Sequence, residues 1–189
     1  NQEFINEISS AVSRCQKILE SFTHLYGTSN SIVPIEIVSF INEVITLTKS
    51  ESRNIKKLIT IENKLPTEDD QKITINSNKT LLAQIIFNIV LNSIQAINSA
   101  NSANSEIIIN LKNKIDFFEI HIIDNGPGFN INDKNDIFQP FFTTKSTGTG
   151  LGLPIAKNLT QKLGGALKLI ESSNGAHFLI ELPYENTNC

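Results

Sequence analysis

Asp124 closes an apolar run, Phe118 to Ile123, and leads into Asn125-Gly126-Pro127-Gly128-Phe129. A carboxylate at the edge of a core needs hydrogen-bond donors, because a bare charge there is expensive. An adenine amino group is a suitable donor. Asn125-Gly126 after a strand is also a strong hairpin signal, but Pro127-Gly128-Phe129 leads into an irregular stretch rather than a second strand. The glycines then let backbone approach a flat ligand. Further on, Gly148-Thr149-Gly150-Leu151-Gly152-Leu153 precedes a helix whose Pro154 falls in the first turn, where a missing N–H costs nothing. Unpaired amides and the positive end of the helix dipole make such a terminus a phosphate site, with a flexible linker as the plain alternative. A P-loop is excluded because Thr144, not glycine, precedes Lys145-Ser146, and a dinucleotide fingerprint because no strand directly precedes the glycines.

The loop between the glycine stretches is long for a compact domain and carries Phe138-Gln139-Pro140-Phe141-Phe142-Thr143-Thr144-Lys145, which reads as a mobile cover over a ligand. Lys145 can reach phosphate as a point charge. Thr143 and Thr144 can add hydroxyl contacts, although Thr-Thr-Lys in isolation is usually a solvated loop. Upstream, Asn88 and Asn92 stand four apart on one face of a helix. Their amide oxygens are neutral hard donors of the kind magnesium accepts while keeping several waters. Two asparagines near the end of a buried helix equally serve backbone groups, so the pair alone decides nothing. Together the three regions describe a nucleotide pocket.

These residues need a scaffold. Leu81, Leu82, Ile85, Ile86, Ile89 and Val90 predict a mostly buried helix over 79–100. Ile37, Phe40, Ile41, Val44 and Leu47 mark one face of another, and a third is expected from about Leu153 to Leu163. Strands are predicted over 58–65 and 72–77, with the polar turn 66–71 between them, then over 106–113 and 116–124, with a closing hairpin over 166–172 and 176–183. The Ser/Asn/Ala stretch 98–105 reads as a linker within the domain. This order predicts an α+β two-layer sandwich, one mixed, mostly antiparallel sheet covered by about three helices. Phe4, Ile8, Ala11, Cys15, Ile18, Phe22 and Leu25 form a heptad seam that Gly27 and Pro34 end. Such a helix suits a partner helix, an amphipathic helix folded back on its own domain being the alternative.

With 189 residues and 40% apolar composition, one main domain plus an appendage is expected. The net charge of −3 gives no sequence-wide positive field, so no nucleic-acid partner is expected. Two cysteines without metal-ligand spacing suggest a reducing compartment, and the cytoplasm is the expectation. No apolar run is read as long enough to span a bilayer, so the piece is expected to be soluble. The chain contains no methionine, position 1 included, which reads as a fragment of a longer protein.

Read in order, these segments resemble the ATP-binding catalytic domain of two-component sensor histidine kinases, in the superfamily of gyrase-type topoisomerases, heat-shock chaperones and mismatch-repair ATPases. Residues 84–97 look like the family's N box, Asp124 to Phe129 its first glycine box, Ile137 to Lys145 its phenylalanine box, and Gly148 to Leu153 its second glycine box. Pro-Phe-Phe-Thr-Thr-Lys and Asn-Ser-Ile-Gln-Ala are most similar to the nitrogen-regulation type. The resemblance implies ATP and Mg2+ as cofactors, with Asn92 a magnesium ligand and Asn88 assisting. It also implies Asp124 on the adenine amino group, Gly126 and Gly128 shaping the base pocket, and Gly148, Thr149, Gly150, Leu151 and Gly152 around the phosphates. Phe138 would belong to the lid, with Lys145 near the phosphate end. The catalytic set it implies is Asn88, Asn92 and Lys145.

Residues 1–27 would be the second helix of the dimerisation and phosphotransfer hairpin, forming a homodimer, and 28–189 the catalytic domain. The implied partner is the receiver domain of a response regulator, with any membrane reached only through upstream segments. Relatives that hydrolyse ATP carry a glutamate four residues before the metal asparagine, where it acts as general base. Asn88 stands there, and a neutral amide takes no proton, which favours transfer to an already nucleophilic imidazole. His24, His121 and His177 lack the family's acceptor context and read as structural, so the acceptor is expected outside this chain. Gly175-Ala176-His177-Phe178 replaces a common Gly-Thr-x-Phe pattern, and Gln95 stands where relatives often carry a basic residue. An ATP hydrolase acting as a conformational switch, and a regulatory scaffold without kinase activity, are the alternatives.

Overall fold

Phe118, Ile120 and Ile122 alternate along one strand and are all fully buried, which sets the face on which the domain is built. The computed structural model describes residues 31–48, 62–63, 73–100, 105–129, 136–145 and 148–184. Strands β2 (Glu62–Asn63), β4 (Ile107–Asn113), β5 (Phe117–Asp124), β6 (Ala166–Ile170) and β7 (His177–Pro183) form one sheet of order β2-β4-β5-β7-β6. Only the β2–β4 pair is parallel; the other three are antiparallel. Helices α1 (Ile37–Thr46), α2 (Lys79–Ala100) and α3 (Gly152–Lys162) contribute to the same core as this sheet. The expected α+β architecture is therefore present.

Two features differ from expectation. The strands predicted over 58–65 and 72–77 enter different sheets, β2 joining β4 while β3 (Thr74–Ser77) pairs antiparallel with β1 (Val33–Glu36). Strand β1 itself was not expected, because Pro34 reads as a breaker. Pro34 lies opposite Asn76 in a two-stranded ribbon. Each strand there has a free edge, where a missing N–H is harmless. The predicted heptad helix lies outside the described residues, as does the whole turn over 66–71.

Local chemistry fixes the helix ends. Glu36 caps α1, its carboxylate accepting from the Val38 and Ser39 amides at 3.1 and 3.0 Å. Asn78 does the same for α2 through Leu81 N at 3.0 Å. At the far end of α3, Gly164 adopts φ 73 and the Gly165 amide reaches back to Thr160 O at 2.9 Å, closing the helix. No unbroken apolar run in α2 is long enough to span a bilayer, yet by length and overall composition alone the helix is apolar enough to cross one. It is instead the central core helix: Leu82, Ile85, Ile86, Ile89 and Ile94 are wholly buried. Each such side chain contributes about 1.5–3 kcal/mol.

On the opposite sheet face, Glu119 and His121 are also buried. His121 Nδ1 lies 2.9 Å from His177 Nε2, and His121 Nε2 lies 3.0 Å from Glu119 Oε2. Burial lowers the His177 pKa, and His121 and Lys112 lower it further. Lys168 and Glu181 form an ion pair at 2.6 Å, and the Lys114 ammonium lies 4.0 Å from Glu119.

Candidate nucleotide site

The last residue of β5 lies against the turn that enters β7. Asp124 is 2% exposed, and its amide donates to Ala176 O at 2.9 Å. Oδ1 accepts from Gly126 N at 3.0 Å and Ala176 N at 3.1 Å. Oδ2 is equally buried and has no hydrogen-bond partner among the described residues. A carboxylate held by two backbone amides with its second oxygen unpaired is a built acceptor for an incoming N–H, because leaving it unmet is costly.

Among the described residues no hairpin follows β5. Asn125 instead turns back to β4, its Oδ1 accepting from Glu106 N at 2.9 Å while its own amide donates to Glu106 O at 3.3 Å. Gly126 lies beside Ala96 of α2, and Gly128 backs onto the Gly175 carbonyl. Gly175 adopts φ 71, and a Cβ there would run into the Asp124 carbonyl. Only glycine allows this approach of β7 to the carboxylate. In the sequence Ala176 reads only as a departure from the Gly-Thr-x-Phe pattern. The structure gives its backbone amide the more basic task of holding Asp124, and the preceding glycine was the available signal.

The other end of the site is assembled differently. Leu151 occupies the N-cap of α3 without a side-chain cap. Its own amide donates to Thr149 Oγ1 at 3.4 Å. The space beside Gly152 is open: a Cβ there would meet nothing within 4 Å. A helix N-terminus without a side-chain cap and with room beside its first residue suits an anion. Gly150, at φ 66, accepts from Phe141 N at 3.1 Å and so ties the loop over 136–145 to the glycine stretch. Thr143 Oγ1 accepts from Lys145 N at 3.1 Å and packs against Gly148, whose amide donates to Lys145 O at 3.2 Å. Thr144 is exposed. Phe138 packs against the core with the Lys157 ammonium 4.9 Å above its ring.

Lys145 crosses to α2. Its Nζ donates to Asn92 Oδ1 at 2.7 Å, to the Asn92 carbonyl at 3.2 Å and to Gln95 Oε1 at 3.3 Å. Burial lowers the Lys145 pKa, while the nearby Asp124 charge acts in the opposite direction. Asn92 Oδ1 therefore already serves as an oxygen ligand to a positive charge, which fits the donor set magnesium prefers. Asn88, half-buried, lies one turn earlier on the same helix. Gln95 is a partner the sequence did not reveal. It reads there only as the absence of a basic residue.

A two-layer α+β domain with an unmet buried carboxylate at one end and an uncapped helix terminus at the other has the form of a nucleotide-binding domain. The chain belongs to the histidine kinase-, DNA gyrase B-, and HSP90-like ATPase family, whose model matches residues 77–186. It is similar to the signal transduction histidine-protein kinase AtoS of Escherichia coli, 27% identical over 186 residues covering 97% of this chain and 29% of AtoS. The sensor histidine kinase ZraS of Salmonella typhimurium is 33% identical over 144 residues, 69% of this chain and 30% of ZraS. The chain thus spans under a third of the length of these relatives. Among solved structures, the nucleotide-free catalytic domain of the histidine kinase ThkA superposes with a TM-score of 0.70 at 26% identity, covering 84% of this chain and 99% of that one.

Proposed function

We propose that the cleft binds Mg2+–ATP and positions its γ-phosphoryl group for transfer to a histidine imidazole on a dimerisation helix outside this chain. The observation that carries the reading is the buried, unpartnered Oδ2 of Asp124. An adenine amino group donates to it, while Gly126 and Gly128 leave room for the ring. The segment from Gly148 to Gly152 and the start of α3 lies at the phosphates, with Thr143, Thr144 and Lys145 beside it and Phe138 anchoring the lid. Asn92, assisted by Asn88, would hold Mg2+, which supplies charge neutralisation at the phosphates.

The chain's own contribution is positioning and fixed dipoles rather than covalent chemistry. The acceptor imidazole attacks phosphorus through a neutral ring nitrogen, the bond to the ADP oxygen breaks, and ADP leaves with that electron pair. No carboxylate at position 88 activates water, which favours transfer over hydrolysis. On this reading residues 1–27 belong to the dimerisation hairpin of a homodimer, 28–189 form the catalytic domain, and the phosphoryl group passes on to a response-regulator aspartate in the cytoplasm.

Incubation with γ-radiolabelled ATP, magnesium and an added histidine-bearing dimerisation domain tests this. Label on histidine is the expected result. Steady release of free phosphate without labelled protein would favour the hydrolase reading, and no binding of ATP at all would leave a scaffold.

A further inference from the structure

The reverse face of the sheet carries a group of side chains that the cleft does not use. Asn110 lies directly opposite His121, Lys112 opposite Glu119, and His177 opposite Ile123, so these residues share one face of β4, β5 and β7. Glu119 and His121 are buried there. The hydrogen bonds among them run in one direction. The Glu119 carboxylate only accepts, so His121 Nε2, 3.0 Å from it, carries the proton. His121 Nδ1 is then a lone pair, and His177 donates to it from Nε2 at 2.9 Å. Both rings are neutral in this arrangement, and burial, then His121 and Lys112, oppose protonation of His177. An imidazole whose far nitrogen is fixed by a carboxylate is oriented as metal-ligating histidines are.

Distance decides whether an ion fits between the two rings. Two nitrogens bound tetrahedrally to one zinc ion at about 2.0–2.1 Å stand about 3.3 Å apart. The two ring nitrogens are 2.9 Å apart, and the rings are tilted at 45° rather than stacked, so small side-chain rotations open the gap. We propose that His121 Nδ1 and His177 Nε2 bind a divalent transition-metal ion of the zinc class, for which imidazole is a suitable donor, in preference to magnesium. On binding, the His177 proton moves from Nε2 to Nδ1, so the ion replaces a hydrogen bond without net proton release at neutral pH. Among the described residues no group of three or more His, Cys, Asp or Glu forms a metal cluster, so water completes the shell. Asn110 Oδ1, buried and without a hydrogen-bond partner among the described residues, is an acceptor on the same face for such a water. Lys168 is engaged by Glu181 and Lys114 stands 4.0 Å from Glu119, which leaves Lys112 as the cation that opposes the ion. The ion ties β5 to β7 directly behind the strand ends that hold Asp124, since Ala176 precedes His177 and Asp124 follows its partner Ile123.

Zinc titration of the whole chain by calorimetry tests this, with Cys15→Ser and Cys189→Ser in every protein compared so that thiols do not compete. One ion is expected to bind at about pH 7.5, more weakly as protons take the imidazoles on acidification, and unchanged by excess Mg2+. His121→Gln and His177→Gln are each expected to abolish saturable binding. Glu119→Gln, which removes only the group that orients His121, is expected to weaken it about tenfold. Lys112→Gln is expected to tighten it about two- to threefold. Imidazole nitrogen resonances supply a readout that needs no histidine variant: zinc is expected to shift those of His121 and His177 and to leave His24 in place. Amide exchange over 121–124 and 176–178 is expected to slow on adding zinc. Absence of saturable binding, full-strength binding in either histidine variant, or unmoved His121 and His177 resonances overturns the site. None of these readouts depends on nucleotide.

Discussion

The two ends of the cleft are built from different materials. At the Asp124 end the carboxylate is buried, held by two backbone amides, and locked by the approach of Gly175 to the β5 carbonyl. At the Lys145 end the contacts are made by a side chain of an exposed loop and can be exchanged. The difference separates recognition from response. A rigid end can discriminate a base because its unmet acceptor cannot rearrange, whereas an end held by one ammonium can change partners when the ligand arrives.

The sharpest way to break this contrast is at Gly175. Gly175→Ala forces an L-residue into φ 71 and into the Asp124 carbonyl, and is expected to cost about 2–3 kcal/mol of global stability. That is a fall of roughly 5–10 °C in thermal melting for a domain of this size. The equivalent change at the Lys145 end, Gly150→Ala at φ 66, meets the Phe141 backbone of the loop over 136–145. It is expected to shift melting by less than about 3 °C while altering lid exchange. Equal losses at both sites would erase the distinction.

Next in size is Asp124→Asn. Its Oδ1 keeps both backbone donors, so folding should survive, but an amide N–H2 replaces the free acceptor. ATP affinity measured by calorimetry is expected to fall at least about 30-fold, the effect of roughly 2 kcal/mol. Asn92→Ala, by contrast, should leave metal-free nucleotide binding near wild type and remove about tenfold of the magnesium-dependent gain.

The smallest effect lies away from the cleft. With its pKa lowered below the ordinary 6.5, His177 is preferentially neutral in the folded state, so the unfolded chain binds more protons between the two values. Stability from this group is fully present above about 6.5 and is lost as pH falls from there through the lowered folded value. Melting curves between about pH 5 and 8 should show this acid-side fall, and His177→Gln should flatten it.

Much of this was legible in the chain because the informative signals are local. The spacing of Asn88 and Asn92 on an aliphatic helix, the glycines before Pro154, and Asp124 at the end of an apolar run each carry their own physical reason. What was missed is non-local. Neither the Ala176 amide on Asp124, 52 residues away, nor Lys145 on Asn92 leaves any periodicity or turn signature. Strand β1 was hidden by Pro34, and the separation of β2 from β3 depends on a parallel pairing with β4 that no neighbouring residue announces.

The most direct test compares ATP with inosine triphosphate by calorimetry in magnesium. Inosine triphosphate replaces the 6-amino donor that faces Asp124 Oδ2 by a carbonyl acceptor and carries a hydrogen on N1. The account predicts that ATP binds and that inosine triphosphate binds at least about 30-fold more weakly. Equal affinity for the two, or no binding of ATP, would contradict it.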